Sequence, residues 1–343
     1  MIRKNLNAVS TPRFRPDQLA SQKRRDSRPV IVALDGGPIA ERAIPFAQAL
    51  ARRWRAPLRL VHVRNPVDEL YGRDLRLVDD SKTLTVQSRP GAYLTGLVET
   101  LRAATSLSVD SRTTTGVSIA DTLRSVCQSD ARALVMVRTL RSALSRFIHG
   151  SVADKLIGKL PVPLLLVPAS QERGFMLSPE AQQTTFTRLL TYLDGSGVSA
   201  ELLKYTADIA RHGAVCQLLR VLPLGALFGS DRRRALPTED PRNDAWKELF
   251  KARGVLEQHG ILCKPRLVFD GQSASSAIVD RAKASQAELI VMSARPHLLP
   301  WWLRDGVVEN VIRRAFLPVL VVPEGRSNDS LPKSSCVDIE RSK

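Results

Sequence analysis

The 343-residue chain lacks the signatures of several kinds of catalytic and metal site. Its five histidines form no HExxH pair, no GxSxG motif occurs, and its four cysteines form no CxxC pair. A zinc hydrolase, a serine esterase and a structural zinc site are therefore disfavoured. His149 stands beside Gly150-Ser151, but no third member of a nucleophilic triad is visible. We expect no metal ion and no enzymatic activity.

Long apolar runs and paired cysteines are also missing. No stretch of about 18 apolar residues occurs, so we expect no transmembrane segment. The cysteines are scattered at Cys127, Cys216, Cys263 and Cys336, and three of them fall in segments predicted as helix or strand. Cysteines in such places usually act as small buried hydrophobic residues. A reducing compartment, the cytoplasm, fits this pattern best.

Acidic residues are too few to balance the basic ones, and the formal net charge is +17. Residues 1–28 hold eight Lys/Arg and two Asp, and therefore contribute +6. This tail also contains Pro12 and Pro16 and few apolar residues, which predicts disorder. Two interpretations of the charge are open: a solvated basic surface, or weak binding of the tail to nucleic acid or an anionic membrane surface.

What the chain does contain is a repeat. Residues 133–168 run from an apolar strand through a loop to Gly150-Ser151, a helix and a second apolar strand, and residues 288–323 do the same around Gly306-Val307. The two glycines stand 156 residues apart, which indicates a duplicated domain. The predicted organisation is a disordered tail (1–28), domain 1 (29–169), a linker (170–186), domain 2 (187–324) and a polar C-terminal tail (325–343).

Each copy alternates strands with helices. Val30–Leu34 is an unbroken apolar run that suits a strand buried on both faces of a parallel sheet, and a helix with one apolar face follows it. The alternation predicts an α/β fold with two tandem five-stranded, doubly wound parallel-sheet domains. Ligands bind such sheets beyond the carboxyl ends of the strands, at the switch point between strands one and four. Asp35 and Asp194 end strand one of the two copies, and so lie at these points.

The residues around these points resemble the universal stress protein family in its tandem form. Nucleotide-binding members of that family carry an Asp after strand one and the pattern G-x2-G-x9-G-[S/T] after strand four. Asp35 and Asp194 match the first feature. The spacing of the second is kept as Val137-x2-Leu140-x9-Gly150-Ser151 in copy one and as Ser293-x2-Pro296-x9-Gly306-Val307 in copy two. The resemblance implies an adenine nucleotide alpha hydrolase-like fold with a flavodoxin-like layout.

The departures from this pattern differ between the copies. Copy two has Pro296, which lacks an N–H, and Val307 in place of Ser or Thr, so we expect it not to form the family's triphosphate loop. Trp301 and Trp302 lie in the same loop, and they either fill the vacated pocket or form an exposed anchor for a partner. Copy one keeps Gly150-Ser151 at a predicted helix N-terminus, where backbone N–H groups can hold an anion.

The resemblance therefore implies one candidate nucleotide site, for ATP or AMP in domain 1, and a degenerate second site. The candidate residues of domain 1 are Asp35, Val63, Arg138, Gly150 and Ser151. Those of the degenerate site are Asp194 and Gly306. Purely structural roles are also possible for these residues. The two aspartates could form Asx turns, Ser151 could be a helix N-cap, and Arg138, Arg141 and Arg146 could lie on a solvated face.

We expect a regulatory or binding module that has a degenerate nucleotide loop and acts through protein partners. The alternative is an adenine-nucleotide-binding stress-response protein with its site in domain 1. Members of the family that the chain resembles usually pair through their last strands. Residues 162–167 and 317–322 are predicted to pair within one chain as a pseudo-dimer, which covers a strand edge that is otherwise open. Pairing of two chains as a homodimer is also left open.

Overall fold

A computed structural model describes nine stretches of the chain: residues 28–66, 90–138, 152–169, 186–197, 199–210, 212–224, 240–271, 273–295 and 306–324. Several of the predictions fall outside these residues. They are the ones on Gly150, Ser151, Arg141, Arg146, Pro296, Trp301, Trp302 and on residues 1–27, 170–185 and 325–343.

The first copy contains these elements in chain order: β1 (Val30–Leu34), a 3-10 helix (Ala40–Ala43), α1 (Ile44–Trp54), β2 (Leu58–Arg64), α2 (Pro90–Ala104), β3 (Val109–Thr115), α3 (Ile119–Asp130), β4 (Ala133–Arg138), α4 (Val152–Leu156) and β5 (Leu164–Pro168). The second copy contains β6 (Arg188–Leu193), α5 (Ala200–Ile209), β7 (Val215–Pro223), α6 (Pro241–Glu257), β8 (Leu262–Asp270), α7 (Ala274–Ala284), β9 (Leu289–Ala294), α8 (Val307–Arg314) and β10 (Val319–Pro323).

Helix α6 begins earlier than the sequence pattern predicts. The apolar periodicity places its start at Asp244, whereas the first helical residue is Pro241. Asp240 caps this end, because its side chain accepts a hydrogen bond from Arg242 N–H at 3.0 Å. Proline suits the first helical position, where no N–H is needed. An Asp-Pro pair is thus a start signal that lies outside the apolar pattern.

The ten described strands form one sheet in the order β3-β2-β1-β4-β5-β10-β9-β6-β7-β8. Within each copy, neighbouring strands are parallel. The first strand of each copy lies between its second and fourth strands, as a doubly wound sheet requires. The predicted α/β fold with two tandem domains is confirmed.

The two copies join through their last strands. β5 and β10 pair antiparallel, with residues 164–166 opposite residues 319–321. All six side chains are buried. Neither strand therefore leaves an open row of N–H and C=O groups at this side. Because the pairing is antiparallel, the strands of copy one end at one end of the sheet and those of copy two end at the other.

Helices cover both faces of the sheet. α1, α2, α5 and α6 pack on one face, and α3, α4, α7 and α8 pack on the other. In β1, Val30 and Val32 join the first core and Ile31 joins the second, and all three are fully buried. The strand is apolar throughout because its side chains alternate between two cores. Among the described helices, none is long and apolar enough to cross a membrane.

The first core continues across the junction of the copies. Arg53 at the end of α1 donates hydrogen bonds from Nε to the Asp208 carbonyl and from Nη2 to the Ala210 carbonyl, both at 2.8 Å. These carbonyls lie at the C-terminus of α5, where a cation is favoured. Trp54 also packs edge-on against Tyr205, with ring centroids 6.2 Å apart. Helix-to-helix contacts therefore support the strand pairing.

We predict that Arg53→Ala lowers the free energy of unfolding by about 2 kcal/mol, because two charge-assisted hydrogen bonds between the copies are lost. Urea unfolding measures this difference. Arg124→Ala is the control, because Arg124 makes an exposed ion pair with Asp121 at 3.0 Å. It should change stability by no more than about 0.5 kcal/mol. Equal losses in the two variants would contradict the role given to Arg53.

Candidate functional site

Each copy has a crevice where its first, second and fourth strands end. β1 lies between β2 and β4, and β6 lies between β7 and β9. Asp35 directly follows β1, and Asp194 directly follows β6. We name the region beyond β1, β2 and β4 the first crevice and the region beyond β6, β7 and β9 the second crevice. The side chains around them decide what each can bind.

The two aspartates shape matching turns. Asp35 Oδ1 accepts a hydrogen bond from Gly37 N–H at 2.8 Å, and Asp194 Oδ1 accepts one from Ser196 N–H at 2.9 Å. In both copies the residue between donor and acceptor is a glycine with positive φ, which glycine adopts without steric cost. Both aspartates therefore form Asx turns, one of the structural interpretations that the sequence left open.

Polar side chains lie around the Asp35 turn in the first crevice. His62 of β2 places Nδ1 2.9 Å from the Leu34 carbonyl, and the Tyr93 hydroxyl donates to Glu41 Oε1 at 2.9 Å. Burial raises the pKa of Tyr93, and the hydrogen bond to Glu41 and the charges of Glu41 and Asp35 act in the same direction. The phenol therefore remains a neutral hydrogen-bonding group beside the Asp35 turn.

Tyr93 and Glu41 were not among the predicted site residues. Both lie near the start of a helix, Tyr93 in α2 and Glu41 in the 3-10 helix after β1. In a doubly wound sheet, the helices that follow the strands begin at the ligand-binding end. Applying this rule to the first turn of each predicted helix would have identified Tyr93 and Glu41 as candidates.

Val63 and Arg138, the other two described residues of the predicted first site, lie near the carboxyl ends of β2 and β4. Val63 is half-buried and packs against the core beneath α3 and α4. Arg138 is only 7% exposed, and its Nη2 donates to the Ala315 carbonyl of copy two at 2.8 Å. Burial lowers the pKa of Arg138 to about 10, and the charge of Asp154 opposes this shift. The structure thus gives Arg138 an interdomain contact that the sequence did not predict.

An arginine fills part of the second crevice. Arg220 pairs in register with Leu193, the last residue of β6, just as His62 pairs with the last residue of β1. Its Nε lies 3.5 Å from Glu248 Oε2, and the two side chains are only 16% and 10% exposed. A Cβ on Gly195 would come within 1.9 Å of Arg220 Nη2. The guanidinium therefore lies directly against the turn that Asp194 begins.

A second ion pair lies beside the first. Arg295, which follows β9, pairs with Glu324, which follows β10. Ser196 Oγ donates to Asp194 Oδ1 at 2.6 Å and lies 3.5 Å from Glu324 Oε1. In copy one the residue after β5 is Ala169, which has no charge to offer. The charged groups of the second crevice thus form ion pairs within copy two, while Arg220 Nε and Glu248 Oε1 have no hydrogen-bond partner among the described residues.

At the predicted degenerate site of copy two, a side chain of the same copy lies at the helix N-terminus. Gly306 is the N-cap of α8 and has extended backbone with no side-chain cap. Glu309 folds back towards it, since a Cβ on Gly306 would come within 2.3 Å of Glu309 Oε2. Glu309 is only 8% exposed, and its negative carboxylate lies at the N-terminus of α8, which is the positive end of the helix dipole. The equivalent residue of copy one is Asp154, the third residue of α4, which is partly exposed.

Comparison with protein-family models matches the chain to the universal stress protein family in two segments, residues 27–168 and 185–323. The two segments correspond to the two copies of the repeat. No curated protein matched the chain in the sequence comparison.

Solved structures with a similar fold include a universal stress protein from Archaeoglobus fulgidus DSM 4304. It has a TM-score of 0.62 and 15% identity, and the match covers 88% of this chain and 98% of that one. A functionally unknown protein from Pseudomonas aeruginosa PAO1 has a TM-score of 0.55 and 18% identity, with coverage of 88% and 95%. At these identities the likeness shows the fold alone.

A universal stress protein from Archaeoglobus fulgidus, solved in complex with dAMP, matches a smaller part of the chain. It has a TM-score of 0.31 and 24% identity, and the match covers 40% of this chain and 99% of that one. The bound dAMP is a property of that protein.

We predict that Arg220→Ala makes stability depend more steeply on pH. Burial raises the pKa of Glu248, and the charge of Arg220 opposes this rise. Without the Arg220 guanidinium the pKa of Glu248 should rise further. Glu248 of the folded variant then keeps its proton to a higher pH than Glu248 of the unfolded chain does. Stability is then lost as the pH rises through the folded pKa. We expect a loss of about 3 kcal/mol at about pH 8 and a smaller loss at about pH 5.

Urea unfolding at the two pH values measures this difference. Arg124→Ala removes an exposed arginine paired with Asp121, and it should cost equally little at both pH values. A loss in Arg220→Ala that is the same at both pH values would show that Glu248 does not depend on Arg220.

Proposed function

Because the chain belongs to the universal stress protein family, we propose that it is a non-enzymatic binding module with a regulatory role that acts through protein partners. In this proposal the second copy takes no nucleotide. The observation that carries it is the internal occupation of the second crevice, where Arg220 pairs with Glu248 at 3.5 Å and Glu309 lies over Gly306.

Opening the second crevice to a ligand is costly. The Arg220 and Glu248 side chains are 16% and 10% exposed, and breaking a buried ion pair costs about 3–5 kcal/mol. Since each 1.4 kcal/mol is a tenfold change in affinity, this cost weakens binding by roughly 100- to 4,000-fold. A phosphate group entering this crevice also meets the carboxylates of Glu309 and Glu324, which repel it.

A second candidate function is binding of an adenine nucleotide, AMP or ATP, in the first crevice. Among the described residues the Asp35 carboxylate accepts one hydrogen bond, from Gly37 N–H, so one oxygen is left for a ligand. Carboxylates accept hydrogen bonds from hydroxyl groups such as those of ribose. His62 is smaller than the arginine that closes the equivalent place in copy two. These features favour the first crevice over the second.

For this second candidate, the sequence resemblance assigns Asp35 and Val63 to the base and ribose, and Gly150-Ser151 to the phosphate. The residue that corresponds to Glu309 is Asp154, since both are the third residue of the helix that precedes the last strand. Asp154 is one methylene shorter and partly exposed, whereas Glu309 is buried. The family member solved with dAMP suggests adenosine monophosphates as the first ligands to test.

An exposed aromatic pair supports the part of the proposal that concerns protein partners. The rings of Trp246 and Phe250 on α6 stack with centroids 5.5 Å apart. The residues are 37% and 55% exposed. Tryptophan and phenylalanine are enriched at protein–protein interfaces relative to the rest of the surface. The proposed partner contact is therefore on copy two.

Isothermal titration calorimetry of the full chain tests nucleotide binding. If the first crevice binds AMP or ATP, we expect one ligand per chain. Asp35→Asn should weaken binding about tenfold, because a charge-assisted hydrogen bond is lost while the turn is kept. Asp194→Asn makes the same change at the equivalent turn of copy two and should leave binding unchanged.

If millimolar AMP and ATP give no heat of binding, the second candidate function is wrong and the proposal of a module that binds no nucleotide stands. Two ligands per chain, or weaker binding in Asp194→Asn, would contradict the closed second crevice and with it the first proposal.

The partner contact is tested by replacing Trp246 and Phe250 together with alanine. Cross-linking in the native cells, followed by purification of the chain, should recover a defined partner with the unaltered protein and lose most of it with the double variant. Arg124→Ala is the surface control and should recover the partner in full. Equal recovery with all three proteins would contradict a contact at this aromatic pair.

A further inference from the structure

Two cysteines of copy two stand opposite each other on adjacent parallel strands. Cys216 of β7 and Cys263 of β8 are register partners, and both thiols are free. Adjacent strands lie about 4.8 Å apart, and disulfide-bonded cysteines have Cα atoms about 4.4–6.8 Å apart. The sheet therefore already holds the two backbones at a separation that a disulfide can span.

The two thiols also lie on the same face of the sheet. Cys216 belongs to the core beneath α5 and α6, and Cys263 packs against that core. The Thr191 hydroxyl lies 3.4 Å from Cys216 Sγ. The two cysteine side chains thus project from neighbouring strands into the same core.

Access to the pair is unequal. Cys216 is fully buried, whereas Cys263 is partly exposed and lies on β8, the last strand in the sheet order. A small oxidant in solution therefore meets Cys263 before Cys216. An outer strand has only one neighbouring strand in the sheet, so β8 can shift towards β7 without breaking a second ladder.

We propose that Cys216 and Cys263 form a redox site that closes to a reversible disulfide when the chain meets hydrogen peroxide. Cys263 loses its proton, and its sulfur attacks one peroxide oxygen. The O–O bond breaks, water leaves, and Cys263 becomes a sulfenic acid. The Cys216 sulfur then attacks the Cys263 sulfur, the S–O bond breaks, and a second water leaves with the Cys216 proton. Two electrons pass from the two thiols to the peroxide.

The geometry of parallel strands makes this disulfide easy to reduce. In-register side chains of parallel strands keep the strand spacing of about 4.8 Å, whereas Cβ atoms in a disulfide lie about 3.8 Å apart. β8 must therefore move by about 1 Å, and the strain raises the reduction potential. A labile bond of this kind responds to oxidant and is reversed by cellular thiols.

The test treats the full chain with peroxide, blocks the remaining thiols with maleimide, and maps peptides without reductant. We expect a cross-linked peptide that joins Cys216 to Cys263. The thiols counted after unfolding should fall from the four in the sequence to two, and dithiothreitol should restore them. Cys127→Ser, which removes a buried cysteine of copy one, is the matched control and should give the same cross-link.

Single variants separate a disulfide from simple oxidation. In Cys216→Ser the sulfenic acid on Cys263 has no thiol to capture it and should advance to sulfinic and sulfonic acids. In Cys263→Ser the buried Cys216 should stay reduced. The proposal is overturned if Cys263 of the unaltered chain is over-oxidised as fully as in Cys216→Ser, stays reduced, or links to Cys127 or Cys336.

Discussion

The antiparallel pairing of β5 with β10 is the contact on which the rest of this molecule depends. It covers the edges of two five-stranded sheets and makes them one. It also brings α1 against α5, so that Arg53 can bind the end of the neighbouring helix. Because the strands of the two copies run in opposite directions, the two crevices lie at opposite ends of the sheet. One crevice can therefore change its chemistry without disturbing the other, while both copies remain necessary to the shared core.

The second crevice differs from the first in the charged side chains around it. At equivalent places Arg220 replaces His62, the buried Glu309 replaces the partly exposed Asp154, and Glu324 replaces Ala169. Each charged side chain meets a group within copy two: Arg220 meets Glu248, Glu324 meets Arg295, and Glu309 meets the start of α8. Charges that are paired internally oppose ligand entry, because a ligand must first separate them. The first crevice keeps the Asx turn with smaller neighbours around it.

Much of the fold could be predicted from residue patterns. The apolar run of β1 predicted a strand with two buried faces, and the repeat predicted two domains. The strand-end positions of Asp35 and Asp194 followed from the same pattern. Contacts between distant residues could not be predicted. Arg220 and Glu248 meet only because β7 and α6 pack around one strand end, and Arg138 reaches Ala315 across the junction. Cys216 and Cys263 look scattered until strand register places them opposite each other.

The asymmetry between the two crevices is the central claim, and a crystal structure of the chain grown with millimolar AMP tests it most directly. The account predicts that Arg220 stays against Glu248 in the second crevice and that nucleotide density is confined to the first crevice beside Asp35. Nucleotide density in the second crevice, with Arg220 displaced from Glu248, would contradict it.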